Sequence, residues 1–283
     1  MQAHADAARA AGRRLALVPT MGALHDGHLQ LVADARRRGD HVTVSVFVNP
    51  TQFGPGEDFD AYPRTLDADL RALREAGGVD AVFAPSAEAM YPFGLPPYAT
   101  VRVRDLDRHL CGATRPGHFE GVTSVVTKLF LACRPHVAVF GEKDAQQLAI
   151  VRRMTVELGF GIEIAGHPIV REPDGLALSS RNRYLTSDER AQAVVLSQAL
   201  RRARQLVADG ERDARALVRA IRAHIGTAAL ARVQYVELVA ADTLQPVETL
   251  VQDRAAGGRY LAAVAVFFGD TRLIDNTTLD VSE

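Results

Sequence analysis

Lysine is nearly missing from this sequence: Lys128 and Lys143 stand alone among 33 basic residues, the rest being arginine. Where arginine is the default cation, a lysine that persists points to a need for a compact ammonium on a flexible stem. Cysteine is equally scarce. Cys111 and Cys133 are the only two in a chain too long to need disulfide staples, so both read as reduced packing residues. The net charge of -1 excludes the one-signed field that draws in nucleic acid or an anionic membrane. No apolar run approaches the roughly 20 residues of a spanning helix, and the opening MQAHADAARAAGRR lacks the apolar core of a secretion signal. The expectation is a cytoplasmic protein that works on small molecules, with neither nucleic acid nor membrane among its partners.

What is present is apolar enough to bury a sizeable core, with 47% hydrophobic against 24% charged residues. The first half alternates β-rich runs with helical patterns: LALVP, LQLVADARRR, HVTVSVFVNP, LDADLRALREAG, VDAVFAP. The strand runs are Val-, Leu- and Phe-rich without polar alternation, as in a parallel sheet covered on both faces. GVTSVVTKLFLACRP reads as a buried helix, HVAVFGEKD as a strand with its exit loop, AQQLAIVRRMTVELG as a helix and IEIAGHPIV as a closing strand. The fold expected is α/β, a Rossmann-like doubly wound sheet.

After Val170 the polar, turn-rich REPDGLALSSRNRYLT marks a hinge or binding loop. The domains expected are therefore 1–173 and a smaller α+β domain at 174–283. In the latter, Thr186 and Glu189 have capping-box spacing and open a long amphipathic helix. ARALVRAIRAHIG makes a second, and RVQYVELVA, YLAAVAVFFG and TRLIDN read as three strands.

Four stretches carry chemistry. In LALVPTMGALHDGHLQLV, a strand meets a Gly-punctuated turn and places His25 and His28 on one face, with His28 expected to open the helix. Unpaired N–H groups and partial positive charge at such a start suit phosphate oxygens. Capping and core packing are the bland alternative; zinc would need a third ligand, and no HExxH or Cys/His cluster offers one. In SVFVNPTQFGPGEDFDAYPRT, Asn49 and Gln52 end a strand where open α/β sheets bind ligands, two amides suited to hydroxyls and carboxylates. Downstream, Asp67 and Asp69 in LDADL favour a helix dipole, and Asp69 is a candidate for a magnesium carried in by phosphates. VFGEKDAQQLAIV repeats strand, loop and helix with Gly141, Lys143, Asp144 and Gln147, where Lys143 has the charge to neutralise a triphosphate. GLALSSRNRYL groups two hydroxyls with a guanidinium, a phosphate grip on a flexible linker.

Taken together, PTMGALHDGH, VFVNPTQF, YPRT, RPGHFEGV, FGEKDAQQ and LALSSRNRYL resemble the pantoate-β-alanine ligases of the nucleotidyltransferase superfamily, from about Leu15 onward. The resemblance implies an ATP-dependent, AMP-forming ligase that makes a pantoyl adenylate and then joins it to β-alanine. It implies that His25 and His28 hold ATP phosphates and that Ser179, Ser180 and Arg181 act like the KMSKS loop of related synthetases. It also places Met21, Gly141, Lys143, Asp144 and Val170 at ATP, and Gln52, Gln147 and Asn49 at pantoate. Mg2+ at Asp69 and a homodimer come with it. The chain departs in having H-D-G-H, a short segment before Leu15, and Ala68 beside Asp69 where some relatives carry adjacent aspartates. Two rivals stand beside this reading. One is a nucleotidyltransferase moving AMP onto a small phosphorylated acceptor, which would want a more basic acceptor pocket. The other is an arginine-rich RNA-binding module, against which the near-zero net charge counts.

Overall fold

The computed structural model describes residues 1–251 and 258–281. They divide into two units. The first comprises Met1–Asp107, Arg115–Glu142 and Ile150–Pro168, and the second Arg108–Thr114, Lys143–Ala149 and the chain from Ile169 onward. The linear division read from texture has no way to express the two short excursions, 108–114 and 143–149.

In chain order the elements begin with α1 (Gln2–Ala10), β1 (Leu15–Thr20), α2 (Asp26–Arg38), β2 (His41–Val46), α3 (Leu66–Ala76), β3 (Ala81–Phe83) and α4 (Ala87–Met90). They continue with α5 (Leu110–Thr114), α6 (His118–Cys133), β4 (Val137–Gly141), α7 (Ala145–Glu157) and β5 (Glu163–His167). The strands form one parallel sheet in the order β3-β2-β1-β4-β5. The first four residues of β1 and the first five of β2 are buried without alternation, as two-sided cover requires. One face packs α2, through Leu31, Val32 and Ala35, on Ala16, Val18, Val42, Val44, Val137 and Val139. Each such fully buried Val or Leu contributes about 1.5–3 kcal/mol. The strand order reverses between β1 and β4, so ligands are expected beyond their carboxyl ends.

α6 lies unusually close to the turn at 50–52: a Cβ at Gly121 would fall 2.2 Å from the Thr51 carbonyl oxygen, so glycine sets this approach.

The second unit holds α8 (Ser187–Ala193), α9 (Val195–Ala208), α10 (Ala214–Ile225), β6 (Ala231–Ala240), β7 (Arg259–Phe268) and β8 (Thr271–Asp280). Its strands are antiparallel, in the order β6-β7-β8. Leu196, Leu200, Leu217 and Ile221 share one core cluster with Val236, Val264 and Phe268. Thr186 and Glu189 do cap reciprocally, by N–H donations at 2.9 and 3.3 Å. The single helix expected after them is two, with Val194 between α8 and α9.

Candidate active site

β1 ends at Thr20, and the chain turns through two left-handed residues, Gly22 (φ 80°) and Ala23 (φ 50°). The turn is held from a distance. Asp69, on α3 and 3% exposed, accepts from the Ala23 N–H at 3.1 Å, the Leu24 N–H at 2.8 Å and the Thr65 hydroxyl at 3.3 Å. A Cβ on Gly22 would stand 2.9 Å from an Asp69 oxygen. These bonds account for the burial of Asp69 as an anchor of the turn. Both its oxygens face backbone N–H groups, and among the described residues no cluster of three or more His, Cys, Asp or Glu is placed to hold a metal ion. Asp69 therefore does not fit a protein-held magnesium.

α2 starts at Asp26, two residues before the expected His28. His25 is its N-cap and His28 its third residue, and each side chain meets the other's backbone N–H. His28 Nδ1 accepts from the His25 N–H at 3.3 Å, and the rings stack with centroids 4.0 Å apart. The reciprocal cap explains the shift: His25 takes the place usually filled by Ser, Thr, Asp or Asn, which draws Asp26 and Gly27 into the first turn. Two imidazoles thus sit at a helix start whose N–H groups and dipole favour an anion.

A second cluster follows β2. Asn49, 1% exposed, caps the 3-10 turn Pro50–Gln52 by accepting from the Thr51 N–H. Its Nδ2 donates to Gln52 Oε1 at 3.1 Å, while Gln52 Nε2 donates to Met21 Sδ at 3.1 Å, so Met21, Asn49 and Gln52 meet as one group. Around it stand residues that reading the sequence did not single out. The Tyr91 hydroxyl donates to Asn49 Oδ1 at 2.6 Å. Arg115 donates to both Glu57 oxygens at 2.6 Å and to the Gln52 carbonyl at 3.2 Å, and His118 Nδ1 donates to the same carbonyl at 2.8 Å. Burial pushes the Glu57 carboxyl up, but the hydrogen bonds and charge of Arg115 more than offset this and hold it at about 2. The motif RPGHFEGV was the signal for Arg115 and His118; nothing in the sequence pointed to Tyr91.

The remaining expected residues lie in the second unit, apart from Gly141, which ends β4. Lys143 and Asp144 occupy a 3-10 turn leading into α7, and Gln147 lies on the first turn of that helix. The Lys143 carbonyl accepts from Asn276 Nδ2 at 2.8 Å, and the neighbouring Asp275, 2% exposed, pairs with both terminal nitrogens of Arg171 at 2.7 and 2.9 Å. The Val170 carbonyl accepts from the Leu178 N–H at 2.9 Å, closing a hairpin that delivers Ser179. The Ser179 hydroxyl caps the turn Ser180–Tyr184 by accepting from the Arg181 N–H at 3.3 Å. The two lysines part company. Lys128 Nζ sits 5.3 Å from the Tyr91 ring centre, whereas Lys143 makes no ion pair among the described residues. Gln52 and Gln147, both expected at pantoate, fall in different units.

The chain matches the family model for pantoate-β-alanine ligase over residues 1–278. It is 60% identical over 286 residues to a pantothenate synthetase of Salinibacter ruber, spanning 99% of this chain and 95% of that protein. A solved pantothenate synthetase from Thermus thermophilus superposes with a TM-score of 0.88 at 47% identity, covering 96% of each chain. A solved pantoate-β-alanine ligase from Francisella tularensis, complexed with β-γ ATP and β-alanine, gives 0.74 at 32% identity over 94% of this chain and 90% of that one. With family model, close relative and solved folds in agreement over nearly the whole length, the chain belongs to the pantoate-β-alanine ligase family.

Proposed function

We propose that this chain condenses pantoate with β-alanine at the expense of ATP, through an enzyme-bound pantoyl adenylate. The observation that carries the reading is the stacked His25–His28 pair on the N-terminus of α2, directly after the central strand. The turn before it carries Met21, which touches Gln52 of a neutral amide cluster. On this reading a site for phosphate and a site for a small hydroxy acid adjoin through the Met21–Gln52 contact, in a family whose Francisella member was solved with β-γ ATP and β-alanine.

The chemistry needs no covalent enzyme intermediate. A carboxylate is a poor electrophile, because amine attack on it would have to expel oxide. In the first step a pantoate carboxylate oxygen forms a bond to the α-phosphorus as the bond to the β-phosphate oxygen breaks, and pyrophosphate leaves with its electron pair. In the second step the neutral amine of β-alanine forms the C–N bond, a proton is released, and AMP leaves. The protein's contribution is positioning and neutralisation of developing charge. In the first unit, His25 and His28 with the α2 N–H groups take phosphate oxygens, Met21 and Gly141 border the nucleotide, and Asn49 and Gln52 hold pantoate. In the second unit, Lys143 neutralises phosphate charge, Asp144 accepts from ribose hydroxyls, Gln147 meets pantoate, and Val170, Ser179, Ser180 and Arg181 grip the nucleotide. Magnesium, expected with ATP, has no protein ligand set of its own in this reading. The protein is expected to pair as a homodimer, which light scattering at a monomer mass would overturn.

ATP–pyrophosphate exchange with a panel of carboxylic acids tests the proposal, and pantoate should stand alone in supporting it. With pantoate labelled by heavy oxygen in its carboxylate, label must appear in AMP; AMP without label excludes the adenylate route.

A further inference from the structure

Which face the Gln52 amide turns to a ligand is decided at Asn49. Two backbone groups that admit no exchange of roles fix the Asn49 side chain: its Oδ1 accepts from the Thr51 N–H at 3.3 Å, and its Nδ2 donates to the Gly121 carbonyl at 3.2 Å. Turned over, the amide would set donor against donor and oxygen against oxygen. The second Nδ2 proton then goes to Gln52 Oε1, so Gln52 keeps its carbonyl toward Asn49 and its Nε2 on the side of Met21. A thioether is a weak acceptor, which leaves the Nε2 protons for a better one.

Tyr91 completes the arrangement from the far side of Asn49. It is 4% exposed, and its hydroxyl makes a short bond, 2.6 Å to Asn49 Oδ1; Thr51 Oγ1 adds a donor to the same oxygen at 3.0 Å. Burial pushes the Tyr91 phenol up from its ordinary range, so it stays a donor across the pH range in which the protein works. The Lys128 ammonium over its ring favours the same polarisation of the O–H.

We propose that Tyr91 is a positioning residue that acts through Asn49: it holds Gln52 with its N–H groups outward, and so restricts this part of the site to acids that bring an acceptor oxygen to Gln52. A hydroxyl, oxo or carboxylate oxygen meets that demand, and an ammonium does not. The assignment rests on the reading that Gln52 contacts the pantoate of the proposed reaction.

The test is Tyr91→Phe, which keeps the ring and removes the hydroxyl, together with Thr51→Val, which removes the other hydroxyl donor to the same oxygen. Loss of one short buried hydrogen bond should raise the KM for pantoate about fivefold to tenfold in Tyr91→Phe, with kcat and the KM for ATP within about twofold of the parent. Thr51→Val should move pantoate KM the same way by less, and decides the matter if Tyr91→Phe does not fold. Nuclear magnetic resonance of the Gln52 side-chain amide, without substrates, should show its two protons shifted and exchanging faster in Tyr91→Phe. Pantoate KM within about twofold of the parent in folded variants overturns the assignment, as does an unchanged Gln52 amide spectrum in Tyr91→Phe. If the parent shows no pantoate-dependent exchange at all, the ligase reading falls and this assignment with it. If the parent exchanges while both variants keep its KM, this assignment alone falls.

Discussion

In the first unit, the turn from Met21 to Leu24 and the turn from Pro50 to Gln52 both leave the carboxyl ends of adjacent strands, β1 and β2, whose register is fixed along six paired residues. In the second unit, the run from Val170 to Arg181 has no such ladder beneath it, apart from one isolated bridge at Arg171 and Ala177, while Lys143 follows β4, whose register with β5 runs through Gly141. Point contacts from β8 hold them, Asn276 on the Lys143 carbonyl and Asp275 on Arg171. Register places the first group through many shared bonds, so no single side chain should matter much there, whereas Lys143 and Arg171 each also lean on one β8 side chain. Asp69 is the exception in the first unit, because the left-handed turn at 22–23 lies beyond the ladder and has its own anchor.

The sharpest way to break this contrast is Asp69→Ala. It strips one buried and one part-buried N–H group of their acceptor and should cost about 4 kcal/mol, at 1–3 kcal/mol for each unsatisfied donor. Urea unfolding measures it, and a loss under about 1 kcal/mol would mean that strand register alone shapes the turn.

Next in size is Lys143→Ala. Charge neutralised inside a dry site is worth roughly 3 kcal/mol, so adenylation should slow on the order of a hundredfold while ATP affinity changes less. Lys143→Arg should rescue poorly, because a planar fork does not replace an ammonium. Rapid-quench measurement of pyrophosphate release decides; a rate within a few-fold of the parent makes Lys143 a surface charge.

A smaller effect, from the first unit, is pH-dependent. Glu57 titrates at about 2 when folded against an ordinary value of 4.5, so the unfolded chain binds its proton first as acid is added. The Glu57–Arg115 pair thus contributes fully above about pH 4.5, and the contribution is lost as pH falls towards about 2. The carboxylate keeps 26% of its exposure, so we expect about 2 kcal/mol rather than the full shift. The stability difference between the parent and Glu57→Gln should shrink by most of that amount between about pH 6 and about pH 2, and an unchanged difference would mean that the pair does not clamp the Gln52 carbonyl.

Thr186→Ala should cost least, about 1 kcal/mol for a lost cap, visible in thermal unfolding. Adenylation should be unaffected at temperatures where the variant is folded.

Local pattern carried most of the fold. The unalternating run in HVTVSV requires two-sided cover, and the parallel sheet followed; the alternation of strands and helices located β1 to β5. What escaped was pairing between distant residues. Asp69 looks like any acid in a first helical turn, and only the backbone of Ala23 and Leu24, some 45 positions earlier, gives it a different task. Tyr91 follows a short helix with no motif around it, and its link to Asn49 spans 42 positions. The His25–His28 pair was visible as a candidate, but the start of its helix was misplaced because histidine is not a usual cap. That residues 108–114 and 143–149 group with the second unit is likewise a property of the folded chain, with no change of composition to mark it.

The placement of the two lysines makes this molecule unusually easy to interrogate by amine-directed labelling. An acylating reagent meets two side-chain amines, one resting over an aromatic ring and the other on the turn before α7. Peptide mass spectrometry then yields two separate time courses in one digest, Lys128 serving as an internal clock for reagent and folding while Lys143, if it meets ATP as proposed, reports occupancy. Protection of Lys143 by nucleotide, read as a ratio to Lys128, would follow ligand entry without turnover, a radioactive tracer or an engineered probe.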